Sequence, residues 1–179
     1  LNPRMIAGHF QGRVLSMLSH MIQPKNILEI GTFTGYSAIC WSEGLQKDGQ
    51  IHTIDNNEEL EDLAREYVIK SGCENQINFH IGNALDIIPT LQTEWDIVFL
   101  DADKANYINY YNQVFDQVKP GGYLIADNVL WNGKVIDSST HNEIDTKAIL
   151  AFNKMVQNDP RVQNVLFPIR DGLMVARKL

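Results

Sequence analysis

Short apolar runs alternate with helical patterns along this sequence, and that alternation constrains the fold more than any other feature. The runs typical of buried strands are Asn26–Ile30, Gln50–Ile54, Ile77–Ile81, the stretch Trp95–Lys104 with its core Ile97–Leu100, and Gly122–Ala126. The helical patterns cover Gly12–Ile22, Tyr36–Gln46, Asn57–Lys70, Ala84–Leu91, Asn106–Val118 and Thr146–Asn158. Strands separated by helices of this length predict a doubly wound, parallel sheet.

The end of the chain departs from that alternation. Val162–Ile169 and Leu173–Arg177 are two further strand patterns, joined by Arg170-Asp171-Gly172. Because Asp-Gly is a strong turn signal, we expect an antiparallel hairpin here. The predicted fold is therefore α/β, with a mostly parallel seven-stranded sheet that is Rossmann-like and ends in an antiparallel hairpin. A nicotinamide-binding domain normally stays parallel to its last strand, so the hairpin counts against that class.

Length and charge narrow the function classes. The 179 residues predict one domain over 1–179, large enough to bury a core without disulfides or a structural metal. The net charge of −7, with no Lys/Arg cluster, argues against a nucleic-acid partner and favours a small molecule. Since the sequence begins with Leu1 rather than Met, the prediction leaves room for residues upstream.

Location is inferred from what the sequence lacks. No apolar run approaches the ~18 residues of a membrane span, and no signal peptide precedes the first strand. Cys40 and Cys73 lack metal-type spacing and are expected to be reduced thiols. We therefore expect a cytoplasmic protein with no membrane partner.

Polar residues crowd the ends of two predicted strands. Asp101-Ala102-Asp103-Lys104 follows the fourth strand, and Asp127-Asn128 follows the fifth. In open parallel sheets ligands bind at the carboxyl ends of strands, and neighbouring strands lie roughly 4.8 Å apart. If the two strands are neighbours, Asp101, Asp127 and Asn128 bring three oxygens to one point. Oxygen ligands favour Mg²⁺, Mn²⁺ or Ca²⁺ over zinc.

The turn Glu29–Gly35 follows the first strand, and Asp55 ends the second. Glycines at such a turn admit a cofactor close to backbone amides, and a carboxylate at the second strand end accepts hydrogen bonds from ribose hydroxyls. A plain structural turn, and a helix N-cap at Asp55, are the competing interpretations. Together the two features favour a nucleoside cofactor. Glu29 suits one with an ammonium group, as in S-adenosylmethionine, better than a pyrophosphate.

These segments resemble one known family. EIGTFTGYS (Glu29–Ser37), TID (Thr53–Asp55), GNALDIIP (Gly82–Pro89), DIVFLDADKANY (Asp96–Tyr107) and PGGYLIADNVLWNG (Pro120–Gly133) are similar to segments of the cation-dependent O-methyltransferases, which include catechol and caffeoyl-coenzyme A O-methyltransferases. The similarity covers nearly the whole chain. It implies a class I methyltransferase fold, a phenolic small-molecule substrate, S-adenosylmethionine with a divalent cation, and a homodimer.

The resemblance also implies residue roles. For the cofactor it implies contacts from Ala7, Glu29, Gly31, Thr32, Ser37, Asp55, Ala84 and Asp101. For the metal it implies Asp101, Asp127 and Asn128, for catalysis Lys104 as the base together with Asp101, and for the substrate Asp103 and Asn132. Phe33 stands where many methyltransferases have glycine, as is usual in this subgroup.

Several alternatives stay open. A cation beside Lys104 disfavours its ammonium form and suits a base, whereas a surface lysine paired with Asp103 is the simpler interpretation. Trp131 and Tyr36 either line an acceptor pocket or only pack. The scattered histidines (His9, His20, His52, His80 and His141) are interpreted as structural or surface residues. A nicotinamide-dependent oxidoreductase and a non-catalytic cofactor-binding module remain the rival functions.

Overall fold

A computed structural model describes residues 7–179, and contacts divide the chain into two compact units that meet in sequence between Thr93 and Glu94. The first unit contains α1 (Gly8–Ile22), β1 (Asn26–Ile30), α2 (Tyr36–Ser42), β2 (Gln50–Asp55), α3 (Glu61–Lys70), β3 (Ile77–Ile81) and α4 (Ala84–Ile87). Its 3-10 turns are Glu58–Leu60 and Ile88–Thr90. β2 pairs in parallel with β1 on one side and β3 on the other.

The second unit contains β4 (Trp95–Leu100), α5 (Tyr107–Val114), β5 (Val118–Ala126), α6 (Ile144–Asn158), β6 (Val162–Phe167) and β7 (Leu173–Lys178). Its 3-10 turns are Lys104–Asn106, Phe115–Gln117, Trp131–Gly133 and Ser138–Thr140. β5 is parallel to β4 and antiparallel to β7, and β6 pairs antiparallel with β7. The prediction of a mostly parallel seven-stranded sheet with an antiparallel C-terminal hairpin is confirmed.

An aromatic cluster holds α5 and α6 together. The Phe152 ring meets Tyr107 edge-on at 5.3 Å between centroids and Tyr111 at 6.2 Å. Ile149 and Val156 lie on the same buried face of α6 as Phe152. These residues have the spacing of one helical face, as the sequence pattern predicted. The packing of α6 on α5 therefore holds α5 in place, and α5 directly follows the segment that carries Asp101 and Lys104.

β5 is longer than the predicted strand Gly122–Ala126: it begins at Val118 and includes Pro120. Trp95 pairs with Val118 and Ile97 with Tyr123, so four residues of β5 bulge out of the ladder. A bulge leaves backbone groups outside the ladder, which is where a proline is tolerated. The predicted helix that ran to Val118 was therefore too long: α5 ends at Val114, followed by a 3-10 turn.

Candidate functional site

Glu29 is the last but one residue of β1 and is fully buried. The Thr53 hydroxyl donates to Glu29 Oε2 at 2.6 Å, and the Thr32 and Thr53 hydroxyl oxygens lie 2.6 Å apart. Since the Thr53 proton goes to Glu29, Thr32 donates to Thr53. This chain of hydrogen bonds links the turn after β1 to β2 and holds the carboxylate in one orientation.

Asp55 at the end of β2 organises the same turn. Its Oδ2 accepts the Phe33 N–H at 2.8 Å, and its Oδ1 accepts the Asn57 N–H at 2.9 Å. The interpretation of Asp55 as the helix N-cap is wrong, because Asn57 caps the following 3-10 turn through Glu59 N–H at 3.0 Å. Each carboxylate oxygen has a further lone pair, so Asp55 keeps acceptor capacity for ribose hydroxyls.

Left-handed backbone shapes the turn between β1 and α2. Gly31 has φ 107°, Phe33 φ 47° and Gly35 φ 75°. At Gly35 an added Cβ would make ordinary contact with Ala64 Cβ at 3.4 Å, so the positive φ, and not crowding, calls for glycine there. The glycines therefore meet a local backbone requirement, and they leave the turn without side chains that would obstruct a ligand.

The other residues predicted to contact the cofactor lie in the first unit, apart from Asp101. Ser37 is buried in the first turn of α2, and Ala84 is the buried first residue of α4. Asn83 caps α4 by accepting the Leu85 N–H at 3.0 Å. Ala7 directly precedes α1 and is partly exposed. Their roles toward a cofactor stay predictions.

Asp101 and Asp127 follow residues that are paired in the sheet. Leu100 of β4 is in register with Ala126 of β5, and the Asp127 N–H donates to Leu100 O at 2.9 Å. The Asp127 side chain is buried, and that of Asp101 is 22% exposed. Burial raises the pKa of Asp101 to about 7; Lys104 lowers this pKa and the Asp127 charge raises it. Two carboxylates in so little water favour a cation between them.

The donor set fits a hard cation. Asn128 has φ 60° and donates its N–H to Asp127 Oδ1 at 2.7 Å, so the peptide that carries the predicted third ligand is held against the second. No group of three His, Cys, Asp or Glu side chains within residues 7–179 is arranged to hold a metal. An oxygen site here therefore depends on two carboxylates and an amide, which matches Mg²⁺ and not zinc.

Lys104 is buried, with 7% of its surface exposed. Its Nζ donates to the Tyr107 hydroxyl at 2.5 Å and lies 3.5 Å from Asp101 Oδ1. The interpretation of Lys104 as a surface lysine paired with Asp103 is wrong. Asp103 instead accepts hydrogen bonds from the Tyr110 hydroxyl at 2.5 Å and from Asn106 Nδ2 at 2.6 Å.

Tyr107 is the residue of this cluster that the sequence analysis missed. Its hydroxyl lies 3.1 Å from Leu100 O and 3.0 Å from Asp127 O, and it accepts from Lys104. Burial, followed by the charge of Asp101, raises the pKa of Tyr107 well above its usual value, so it stays a phenol. The i, i+3 spacing from Lys104 was the available signal. Tyr107 thus holds the lysine beside both strand ends.

Asn132 lies in a pocket of about 420 Å³, which is also lined by Leu130, Gly133, Val135, Ile136, Arg170 and Asp171. Its N–H donates to Asp171 Oδ1 at 2.5 Å, and its φ is 54°. Of the two predicted substrate residues, Asn132 lines this pocket and Asp103 does not.

Trp131 and Tyr36, the two aromatic residues considered for an acceptor pocket, have different surroundings. Lys104 Nζ lies 6.0 Å from the centroid of the Trp131 ring, and the buried Trp131 Nε1 meets no acceptor within residues 7–179. A buried donor without a partner costs about 1–3 kcal/mol, which favours an acceptor atom supplied by a ligand or water. Tyr36 packs on Gly12, where an added Cβ would lie 2.7 Å from its ring. Tyr36 is thus a packing residue between α1 and α2.

The histidines were interpreted as structural or surface residues, and the cysteines as reduced thiols. His52 Nδ1 lies 3.0 Å from His80 Nε2 with the rings stacked, a pairing between β2 and β3 that the sequence did not reveal. Cys40 and Cys73 are free and buried. Within residues 7–179, no helix is long and apolar enough to cross a membrane.

The family model and the sequence relatives that match this chain are all O-methyltransferases. The family model described as O-methyltransferase matches residues 1–179. The chain is 36% identical over 179 residues to caffeoyl-CoA O-methyltransferase 1 of Eucalyptus globulus, and 34% identical over 180 residues to the caffeoyl-CoA O-methyltransferase of Medicago sativa. Each match covers 94% of this chain and 73% of the relative.

Solved structures agree with the sequence relatives. An O-methyltransferase from Bacillus cereus in complex with SAH has a TM-score of 0.92 at 30% identity, covering 99% of this chain and 84% of that one. The O-methyltransferase TomG of Streptomyces achromogenes, in complex with SAM and involved in tomaymycin synthesis, has a TM-score of 0.90 at 30% identity, covering 98% and 82%. With the full-length family match, these similarities establish that the chain belongs to the O-methyltransferase family of S-adenosylmethionine-dependent enzymes.

Proposed function

We propose that this enzyme transfers the methyl group of S-adenosylmethionine to a hydroxyl of a catechol-like or caffeoyl-like phenol, and that a divalent cation, Mg²⁺ first, assists the transfer. The observation that carries the proposal is the register of β4 and β5. Leu100 pairs with Ala126, so Asp101 and Asp127 follow neighbouring strand ends, with Lys104 3.5 Å from Asp101. The names of the plant relatives support a caffeoyl-type acceptor.

The chain's own residues supply binding and proton transfer. Asp101, Asp127 and the Asn128 amide would hold the cation. When bound, the cation supplies the charge that makes a phenol, with an unperturbed pKa of ~10, available as phenolate near neutral pH. Lys104, kept in place by Tyr107, would accept the proton at Nζ. The transfer then depends mainly on alignment of the two reactants.

The rival functions are less well supported. A nicotinamide-dependent oxidoreductase normally keeps a parallel last strand, whereas β7 is antiparallel to both of its neighbours. A non-catalytic cofactor-binding module has no use for a buried lysine beside two carboxylates, because each buried charge costs free energy. We therefore place catalysis first.

Metal removal tests the proposal. With labelled S-adenosylmethionine and a panel of catechols, EDTA treatment should lower turnover at least about 100-fold, because a metal contributes several kcal/mol to such a transition state. Added Mg²⁺ should restore it. An unchanged rate after EDTA would refute the cation mechanism.

Asp127→Asn should remove cation-supported turnover and weaken Mg²⁺ binding measured by calorimetry, while S-adenosylhomocysteine still binds. Asp116→Asn is the matched control, since Asp116 is an exposed carboxylate of the same unit. If Asp127→Asn also abolishes cofactor binding and lowers the melting temperature strongly, Asp127 has a folding role and not the proposed one.

A further inference from the structure

The pocket between the 130–136 loop and the β6–β7 turn has chemistry that the proposed reaction does not use. Its loop wall is apolar, with Leu130, Val135 and Ile136. Arg170 and Asp171 line it from the turn. A volume of about 420 Å³ lies at the small end of ligand pockets and suits one aromatic ring with a short substituent.

The turn is bonded to the loop through its backbone. Leu130 N–H donates to Asp171 O at 2.8 Å, and Val129 N–H donates to Gly172 O at 3.2 Å. At Gly172 an added Cβ would lie 2.6 Å from Leu130, so the two segments are in close contact. The backbone of the turn that carries Arg170 is therefore held against the loop.

Arg170 itself has φ 50°, in the left-handed region that glycine and asparagine adopt most readily. Other residues keep a left-handed backbone only where the surrounding structure imposes it, and residues with such backbone strain are concentrated at ligand sites. An arginine at this point puts a planar guanidinium, which matches a carboxylate in shape, at the pocket.

Asp171 holds the loop side of the pocket in place. The Asp171 carboxylate accepts the Asn132 N–H at 2.5 Å and so orders the loop. The pocket begins beside the candidate cation site, because Leu130 follows Asn128 by two residues and the neighbouring Trp131 ring centroid lies 6.0 Å from Lys104 Nζ. A ligand that binds the cation at one end and extends into the pocket would have its other end near the Arg170 guanidinium.

We infer that Arg170 determines acceptor specificity, by pairing with a carboxylate carried on a short substituent of the phenol while the ring lies against Leu130 and Val135. The inference rests on the proposed function and names the substrate class of that site: catechols that are also carboxylic acids. A guanidinium can pair with a carboxylate through two parallel, charge-assisted hydrogen bonds, which are stronger than bonds between neutral groups.

Matched substrates test the charge. 3,4-Dihydroxybenzoate and 3,4-dihydroxybenzamide differ in the carboxylate alone, and the wild-type enzyme should have a KM about tenfold or more lower for the acid. Arg170→Asn removes the charge and keeps a residue that tolerates the left-handed backbone. It should abolish the preference through KM while kcat changes little, and Arg170→Lys should retain part of it.

Arg177→Asn is the control, since it removes an exposed arginine of the neighbouring strand and should leave the preference unchanged. Equal KM values for acid and amide in the wild type, or a preference that survives Arg170→Asn, would overturn the inference. A loss confined to caffeoyl-coenzyme A would assign Arg170 to phosphate and overturn the carboxylate assignment.

A binding measurement separates this inference from the proposed function. The dissociation constants of both ligands, measured by calorimetry with S-adenosylhomocysteine and Mg²⁺ present, need no turnover. If no catechol is methylated but Arg170→Asn still weakens binding of the acid alone, the proposed function fails and the role of Arg170 stands. If the acid binds both proteins equally, the role of Arg170 is refuted whatever the activity.

Discussion

The side chains of Tyr107 and Lys104 form the centre of the polar cluster in the second unit. Tyr107 links Lys104 to the backbone oxygens of Leu100 and Asp127, so the lysine cannot swing away without leaving buried groups unpaired. Buried polar groups without partners are costly. Tyr107 therefore acts on the reaction through Lys104 and is a positioning residue.

Tyr107→Phe should lower kcat about tenfold with little change in the KM of either substrate, because it releases Lys104 without removing it. The loss of its hydrogen bonds should also lower the free energy of unfolding by about 1–3 kcal/mol. Kinetics at saturating cofactor and urea unfolding are the measurements.

Tyr111→Phe provides the comparison, because its hydroxyl donates to Asp159 at 3.1 Å, away from Lys104. It should cost stability and leave kcat unchanged. An equal fall of kcat in both variants would mean that stability alone, and not the position of Lys104, explains the effect.

Among single residues, the sequence predicted the carboxylates at the strand ends but not Tyr107 or Arg170, and the difference has a physical reason. Asp101 and Asp127 were found because the carboxyl ends of parallel strands meet at one edge of a sheet. Tyr107 reaches the cluster from α5, and Arg170 reaches its pocket from a hairpin turn. The i, i+3 spacing from Lys104 was a local sign of Tyr107, whereas the place of Arg170 at its pocket depends on how the turn packs and left no such sign.

Among the elements, β2 and β3 carry the paired histidines. Burial, and then the neighbouring His80, lowers the pKa of His52; burial lowers the pKa of His80. One ring must donate and the other accept across the 3.0 Å contact, which requires at least one neutral ring. Two imidazolium rings would repel each other in the same place.

Stability should therefore fall as pH drops. Because the folded pKa values lie below the unfolded value of ~6.5, the folded state binds fewer protons. The contribution of the neutral histidine pair to stability is fully present above pH ~6.5. It is lost as the pH falls from ~6.5 toward the lower pKa values of the folded state. Urea unfolding between pH 8 and 5 measures this decline.

His80→Gln should make the decline shallower, whereas His9→Gln, which changes an exposed histidine, should leave it as it is. A wild-type slope in His80→Gln would show that other groups cause the pH dependence and would contradict the prediction.

Element bounds were predictable where strands are short and flanked by turn residues. The buried β1 and the partly exposed β3 both have the predicted bounds, because turn residues mark their ends. Helical patterns ran too long, since 3-10 turns continue the spacing for another three residues: the pattern Ala84–Leu91 is an α-helix to Ile87 followed by Ile88–Thr90. The β5 bulge was hidden, because Pro-Gly-Gly is also a turn signal.

For the whole chain, the fold class followed from alternation and the terminal hairpin, and the family is established. The divalent cation, the phenolic acceptor, the homodimer, the cytoplasmic location and the single-domain assignment stay predictions.

Cofactor binding should stabilise the chain as a whole. S-adenosylhomocysteine at ~100 times its dissociation constant should add about 2.7 kcal/mol, which for a chain of this size raises the melting temperature by roughly 5–10 °C. NADH at the same concentration should give no shift. A shift with NADH alone would favour the oxidoreductase instead.

Glu29→Gln should reduce that shift, because the predicted ammonium contact loses its charge while the Thr53 hydrogen bond can still form. Glu94→Gln, a change outside the predicted cofactor residues, should keep the full shift. Equal shifts in both variants would remove Glu29 from the cofactor site.

The bulge in β5 divides that strand into two stretches with different tolerance to inserted or deleted residues. Between Tyr123 and Ala126 each residue is in register with β4, so a gain or loss of one would turn Asp127 to the opposite face of the sheet. The four residues from Lys119 to Gly122 lie outside the ladder and can absorb such a change. During divergence, length variation can therefore accumulate on one side of Gly122 while the carboxylate on the other keeps its place.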